Sequence, residues 1–269
     1  MVRRARLDAE LVRRGLARSR DQARELVDAG RVVVAGAPAS KPATQVDPAA
    51  AIVVTGERPR DTYVSRGAHK LLGALREFGG AGLDVRRRSC LDAGASTGGF
   101  TQVLLEQGAA RVVAVDVGYG QLAWSLQQDP RVVVLDRTNV RDLEPSDVPP
   151  PAPDVVVADL SFISLRLVLP ALRRCSTDDA DLVVMVKPQF EVGRRDIGAG
   201  GVVRDPALRA AAVREVATAA ADLGLGAAGV VASQLPGPSG NVEYFLWLRA
   251  DAPALEDEDL ARAVEEGPR

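Results

Sequence analysis

The chain has 269 residues, 46% hydrophobic and 26% charged, with a formal net charge of −2. That length holds one large domain or a large and a small one, and the balance is that expected of an ordinary soluble globular protein. Aromatic residues make up 4%, so any nucleic-acid recognition must rest on charge and shape more than on stacking.

The near-neutral total hides an asymmetry. Residues 1–41 carry ten basic side chains, among them Arg4, Arg6, Arg18, Arg20 and Lys41, against five acidic ones. A basic head on a neutral body suits a module that grips a polyanion. From Asp251 onward the chain turns acidic. Cys90 and Cys175 lack metal-ligand spacing, and their apolar flanks predict buried thiols in a reducing compartment; no metal is expected. The start, MVRRARLDAE, has no apolar stretch behind its charges and does not read as an export signal. No uninterrupted apolar run nears the roughly 18–20 residues of a membrane span. A cytoplasmic location without a membrane partner is expected.

In chain order, Leu7, Leu11, Val12 and Leu16 recur at helical spacing and Gly15 closes that helix. A second helix starts on Ser19 as N-cap, buries Ala23, Leu26 and Val27, and ends at Gly30. A strand at 31–35, a turn at Gly36-Ala37-Pro38 and a strand at 52–55 complete a small αα-β-turn-β module over 1–56, with a polar linker at 57–64. The pattern then alternates through residue 250. A helix at 67–78 precedes strands at 89–92, 112–116, 132–135, 154–158, 182–186, 229–232 and 242–248. Helices at 98–107, 119–128, 164–174 and 205–222 lie between most of them. Repeated βα units predict an α/β domain over 65–250, Rossmann-like, with a seven-stranded, mostly parallel sheet covered on both faces. Residues 188–204 read as a long Gly-rich loop, of a length that is usually functional or mobile. Residues 251–269 remain as an acidic tail.

The strand at 89–93 runs into Gly94-Ala95-Ser96-Thr97-Gly98-Gly99 and then a helix, a turn that permits close approach of a ligand to the helix N-terminus. The next strand ends in Asp116, 22 positions after Gly94, near the offset of an acid that hydrogen-bonds a ribose. Together these predict a site for an adenosine-containing cofactor. Neither G-x-G-x-x-G nor the P-loop pattern is present, while Asp92-Ala-Gly94 resembles the first motif of S-adenosylmethionine methyltransferases. Asp136 and Asn139, after the third strand, are placed to reach the adenine.

Four ionisable residues flank strand ends: Lys70 on the helix before the first core strand, Asp159 after the fourth, Lys187 after the fifth, and Glu243 opening the last. Ligands of open α/β sheets bind at the carboxyl ends of strands. Two lysines and two carboxylates suit transfer to an alcohol, because a ribose 2′-hydroxyl must lose its proton as it attacks, and a lysine can take that proton when its surroundings lower its pKa. Asp159-Leu-Ser-Phe162 departs from the Asn/Asp-Pro-Pro-aromatic tetrapeptide of amino methyltransferases. His69, beside Lys70, reads as a positioning or RNA-contact residue.

Two sets of motifs carry a family resemblance. Arg6-Leu-Asp-x-x-Leu-Val-x-x-Gly-Leu-Ala-x-Ser-Arg20, Gly30-x-Val-x-Val and Lys41-Pro42 resemble an S4 RNA-binding domain. Ser65-Arg-Gly-Ala-His-Lys70-Leu, Asp92-Ala-Gly-Ala-Ser-Thr-Gly-Gly-Phe-Thr101, Asp116-Val-Gly-Tyr-Gly-Gln-Leu122, Ala158-Asp-Leu-Ser-Phe-Ile-Ser164, Val186-Lys-Pro-Gln-Phe-Glu191 and Pro236-Gly-Pro-Ser-Gly-Asn-Val-Glu-Tyr-Phe245 resemble the TlyA family. These are 16S/23S rRNA (cytidine-2′-O)-methyltransferases, also labelled haemolysins. The resemblance implies a class I methyltransferase fold with S-adenosylmethionine as cofactor and 16S and 23S rRNA or ribosomal subunits as partners. It also implies a link to sensitivity to cyclic-peptide antibiotics such as capreomycin. The Lys-Asp-Lys-Glu tetrad described for this family and for FtsJ-type 2′-O-methyltransferases falls on Lys70, Asp159, Lys187 and Glu243. Where the family's linker reads Arg-x-Trp-Val, this chain has Arg60-Asp-Thr-Tyr-Val64. Rival readings are a pore-forming haemolysin, a non-catalytic S4 ribosome-binding factor and an S4-linked pseudouridine synthase.

Overall fold

A computed structural model describes residues 4–17, 19–28, 30–54, 63–237 and 239–268. The chain divides into two compact units, Met1–Thr62 and Tyr63–Arg269. Arg18 and residues 57–62 of the expected linker lie outside the described residues.

The first unit runs β1 (Ala5–Arg6), α1 (Leu7–Arg13), α2 (Arg20–Asp28), β2 (Val32–Val34), β3 (Ala37–Pro38), β4 (Gln45–Val46) and β5 (Ile52–Val54). Leu7 and Leu11 of α1 and Ala23, Leu26 and Val27 of α2 are the apolar positions expected at helical spacing, and they share a core with Val32, Val46 and Ile52. Ser19 caps α2 by accepting from the Gln22 amide at 3.2 Å. Two points differ from the expected module. The turn is Ala35-Gly36, both at positive φ, and Ala37–Pro38 already pairs with Val33 and Val34. A second pairing, β1 with β4, was not foreseen.

The second unit begins with α3 (Gly67–Gly79). It continues with β6 (Ser89–Ala93), α4 (Gly99–Glu106), β7 (Arg111–Val115), α5 (Trp124–Gln127), β8 (Val132–Leu135) and β9 (Val155–Ala158). Then come α6 (Leu165–Arg174), β10 (Asp181–Val186), α7 (Pro188–Glu191), α8 (Pro206–Ala221), β11 (Gly226–Ala232), β12 (Tyr244–Arg249) and α9 (Asp257–Glu265). The sheet order is β11-β12-β10-β9-β6-β7-β8. β12 runs antiparallel to both its neighbours, and the other pairings of the sheet are parallel, so the expectation of seven mostly parallel strands is met. Buried on both faces, β9 and residues 182–186 of β10 read as unbroken apolar runs. One core layer packs α6 and α8 on the sheet, and the other packs α3 and α4.

Two stretches are more ordered than their composition suggests. The Gly-rich 188–204 segment holds α7 and two 3-10 turns, Arg194–Asp196 and Ala199–Gly201. Within the acidic tail, α9 sets Leu260 and Ala263 into the core. Conversely, the helix expected at 119–128 shrinks to Trp124–Gln127. Among the described residues no helix is long and apolar enough to cross a membrane.

Candidate active site

Chain direction brings the reacting groups together. The connections from β6 lead to β7 on one side, while β9 lies on the other, so a crevice opens at the carboxyl ends of these strands, where the sheet order reverses. Asp116, Asp159 and Lys187 follow β7, β9 and β10 at that edge. Because β12 is antiparallel, its start meets the end of β10, with Val186 opposite Tyr244. Glu243, one residue before the strand rather than on it, therefore arrives at the same edge.

Lys70 Nζ donates to Glu243 Oε2 at 2.5 Å, and both side chains are buried. Lys187 Nζ forms an ion pair with Asp159 Oδ1 at 2.6 Å and donates to Ser161 Oγ at 3.0 Å. Lys70, Asp159, Ser161 and Lys187 line one cavity of about 290 Å³ with Ser65, Arg66, Gly67, Gly94–Thr97, Gly99, Phe100, Leu235 and Pro236. Glu243 does not line this cavity and meets it through Lys70. Its Oε1 has no hydrogen-bond partner among the described residues and lies against Gly237, where a Cβ would come within 2.6 Å.

A second cavity, about 510 Å³, shares Gly94, Ser96, Asp159 and Ser161 with the first. Asp116 lines it with Val117, Gln121, Thr138, Asn139 and Val140, and Leu160, Phe162, Ile163 and Val168 supply an apolar wall. Asp116 is held by the amides of Ser96 (2.8 Å) and Gly118 (2.7 Å). An acid at a strand end beside an apolar slot and the N-terminus of α4 is a donor set that fits a nucleoside carrying an amino-acid tail.

The remaining cofactor candidates take different places. Asn139 lines the slot and caps the turn that follows. Asp136 lines neither cavity; its carboxylate accepts from the Gly120 amide at 2.9 Å and shapes the loop around Asp116. Asp92 is fully buried beneath the glycine turn, accepting from Thr101 Oγ1 at 2.6 Å. Burial, and after it the nearby carboxylate of Asp159, raises its pKa to about 7 against the pull of the Thr101 hydrogen bond. The glycines serve close packing: a Cβ on Gly94 would stand 2.6 Å from the Asp159 carbonyl oxygen, one on Gly98 would strike Leu126, and one on Gly99 would strike Ser65.

Sequence reasoning passed over Ser65, Ser161 and Phe162. Phe162 is 91% exposed in the loop after β9, with φ +64 and its ring 5.2 Å from that of Phe190. A large exposed aromatic in a left-handed backbone conformation is rare, but only coordinates reveal it.

In the first unit, Arg6 forks onto the buried carboxylate of Asp8 (2.7 and 3.0 Å), and Arg20 meets the same group at 3.2 Å. Both guanidinium side chains stay about half exposed. Arg4 and Lys41 are exposed. Among the described residues no group of three or more His, Cys, Asp or Glu is placed to hold a metal.

The fold and this edge define a methyltransferase. The chain belongs to the FtsJ-like methyltransferases, whose family model matches residues 63–250, and an S4 domain model matches residues 5–52. Over the full length of both chains it is 62% identical to the 16S/23S rRNA (cytidine-2′-O)-methyltransferase TlyA of Mycobacterium tuberculosis. It is 36% identical to Hemolysin A of Brachyspira hyodysenteriae, across 89% of this chain and 98% of that one. A solved structure from Streptococcus thermophilus superposes with a TM-score of 0.72 at 39% identity, covering 99% of this chain and 98% of the other.

Proposed function

We propose that this protein methylates the ribose 2′-hydroxyl of cytidine in 16S and 23S rRNA, in the cytoplasm, using S-adenosylmethionine. The observation that carries the reading is the pair of lysine–carboxylate contacts, Lys187–Asp159 and Lys70–Glu243, set beside the acid-marked slot. The activity of the relative at 62% identity supports the rRNA ribose as target. When bound, S-adenosylmethionine supplies an electrophilic methyl group on a sulfonium centre.

In this reading Asp116 and Asn139 hold the nucleoside part of the cofactor, and the turn Gly94–Thr97 holds its amino-acid tail. The first unit grips RNA phosphates through Arg4, Arg6, Arg18, Arg20 and Lys41. The target nucleotide leaves its stack to reach the cavity, where the exposed Phe162 ring offers a face to its base. Lys187 deprotonates or orients the 2′-hydroxyl; it takes the proton as the free amine, and Asp159 pairs with the ammonium so formed. Asp159 and Ser161 fix where its Nζ points, while Lys70 with Glu243 positions the ribose from the α3 side and sets the local charge. No membrane or metal partner enters this scheme.

The test is transfer of labelled methyl to 16S and 23S rRNA, or to subunits lacking the modification, for wild type and Lys187→Ala, with the product mapped by alkali resistance at the ribose. Label at a 2′-oxygen that disappears in the variant supports the proposal. Label on a base overturns the tetrad, and no label on any RNA despite cofactor binding overturns the activity.

A further inference from the structure

The loop after β9 and the short α7 after β10 touch at three levels. At the first, Lys187 meets Asp159 and Ser161. At the second, the rings of Phe190 and Phe162 lie 5.2 Å apart. At the third is Glu191, whose side chain is 1% exposed. Its Oε1 accepts from the Leu165 amide at 2.7 Å and its Oε2 accepts from Ser164 Oγ. Arg166 approaches the same oxygen at 3.5 Å and donates to the Glu191 carbonyl oxygen at 3.3 Å.

A buried carboxylate is costly unless its lone pairs are satisfied, and an apolar side chain of similar size often does as well for stability. Burial raises the Glu191 pKa accordingly. What the carboxylate provides here is direction. It ties α7 to the first turn of α6, where backbone amides lack helical partners and the helix dipole favours an anion. The loop it secures also has strain to contain, because Phe162, two residues before Ser164, sits at φ +64, a conformation that is unfavourable outside glycine.

We propose that Glu191 is a positioning residue of the reaction: by bonding Ser164 and Leu165 it holds the 159–164 loop against Lys187 and so fixes the Lys187–Asp159–Ser161 arrangement and the place of Phe162. This inference rests on the reading of Lys187 given above. Displacement of a reacting group by about 1 Å can lower turnover on the order of 100-fold, so a loosened loop shows in kcat.

The experiment measures kcat and KM for RNA and for cofactor, well below each melting temperature, for wild type, Glu191→Ala, Glu191→Gln, Ser164→Ala and the double variant Ser164→Ala/Glu191→Ala. Glutamine keeps an acceptor for the Leu165 amide and a partner for Ser164. The expected result is a kcat lowered about 10- to 100-fold in Glu191→Ala at saturating substrates, with glutamine restoring it to within about 3-fold of wild type. The double variant should be no slower than Glu191→Ala, because the two residues share one bond. A folded Glu191→Ala with wild-type kcat overturns the proposal, as does a loss that saturating cofactor fully restores. If Glu191→Ala does not fold, Ser164→Ala decides: an unchanged kcat overturns the proposal, and a reduced one that Glu191→Gln shares in milder form supports it. Wild type without ribose methylation would instead remove the activity itself.

Discussion

Lys70 and Glu243 stand 173 positions apart in the chain and meet at 2.5 Å, with 9% and 1% of their side chains exposed. A pair this dry is expensive to break and cheap to replace. Removing one partner leaves a buried charge without compensation, which costs about 3–5 kcal/mol, whereas exchanging both for apolar side chains is often neutral. Glu243→Ala should therefore lower the urea midpoint strongly. The double variant Lys70→Met/Glu243→Leu should recover most of that stability while methyl transfer stays absent. Recovery of both together would make the pair a folding device and remove it from the reaction.

Gly237 extends the same argument. A Cβ at this position would lie 2.6 Å from Glu243 Oε1 and 3.2 Å from its Cδ, so Gly237→Ala must push the carboxylate away from its present seat or bend the loop. Overpacking of this kind costs about 1–3 kcal/mol. We expect a modest fall in melting temperature and a larger fall in kcat, because the displaced group is the partner of Lys70. Equal turnover in Gly237→Ala would show that the exact seat of Glu243 does not matter to the reaction.

How much of this was readable in the sequence follows from where the information lies. The strands β7 to β10 were legible from their apolar stretches and β6 from the glycine turn that follows it, and Asp159 and Lys187 were legible because each stops such a stretch. The two-residue strands β1 and β4 carry no periodicity at all. The helix expected at 119–128 starts only at Trp124, because Asp116 and Asp136 take the amides of Gly118 and Gly120, and that competition keeps the preceding segment open. The acidic tail hid α9 because charge dominates its composition, although Leu260 and Ala263 at i, i+3 form a buried stripe. Ser161 and Phe162 were invisible as site residues, since their roles depend on how the loop after β9 turns.

Asp92 makes stability depend on pH. Its pKa is raised to about 7 in the fold by burial, against about 3.9 in an unfolded chain. Between those values the folded state binds a proton that the unfolded state has released, so stability falls as pH rises from about 4 to 7 and the loss is complete above 7. The magnitude is on the order of 4 kcal/mol at most. Asp92→Asn keeps an acceptor for Thr101 and has no proton to lose. Its advantage over wild type should be absent near pH 3, grow through the window and level off above it. Urea unfolding of both proteins across pH 3–8 measures this, and parallel curves would show that Asp92 stays ionised in the fold.

Arg6 and Arg20 converge on Asp8, which is 1% exposed and whose pKa is lowered to about 2, first by the Arg6 hydrogen bond. The carboxylate is out of reach of solvent, while both guanidinium groups remain half exposed. A buried anion thus holds two cations at a set spacing with donors to spare, the geometry that suits a phosphodiester. Two kinds of variant separate charge from placement. On the proposed phosphate contacts, Arg6→Ala or Arg20→Ala should lower RNA affinity and reduce the slope of log affinity against log salt by about 1. Asp8→Asn keeps both cations but frees them, so affinity should fall while the salt slope is retained. Titration of labelled rRNA fragments at several salt concentrations distinguishes these cases. A salt slope unchanged in Arg6→Ala would take Arg6 off the RNA surface and leave it as a partner of Asp8 within the fold.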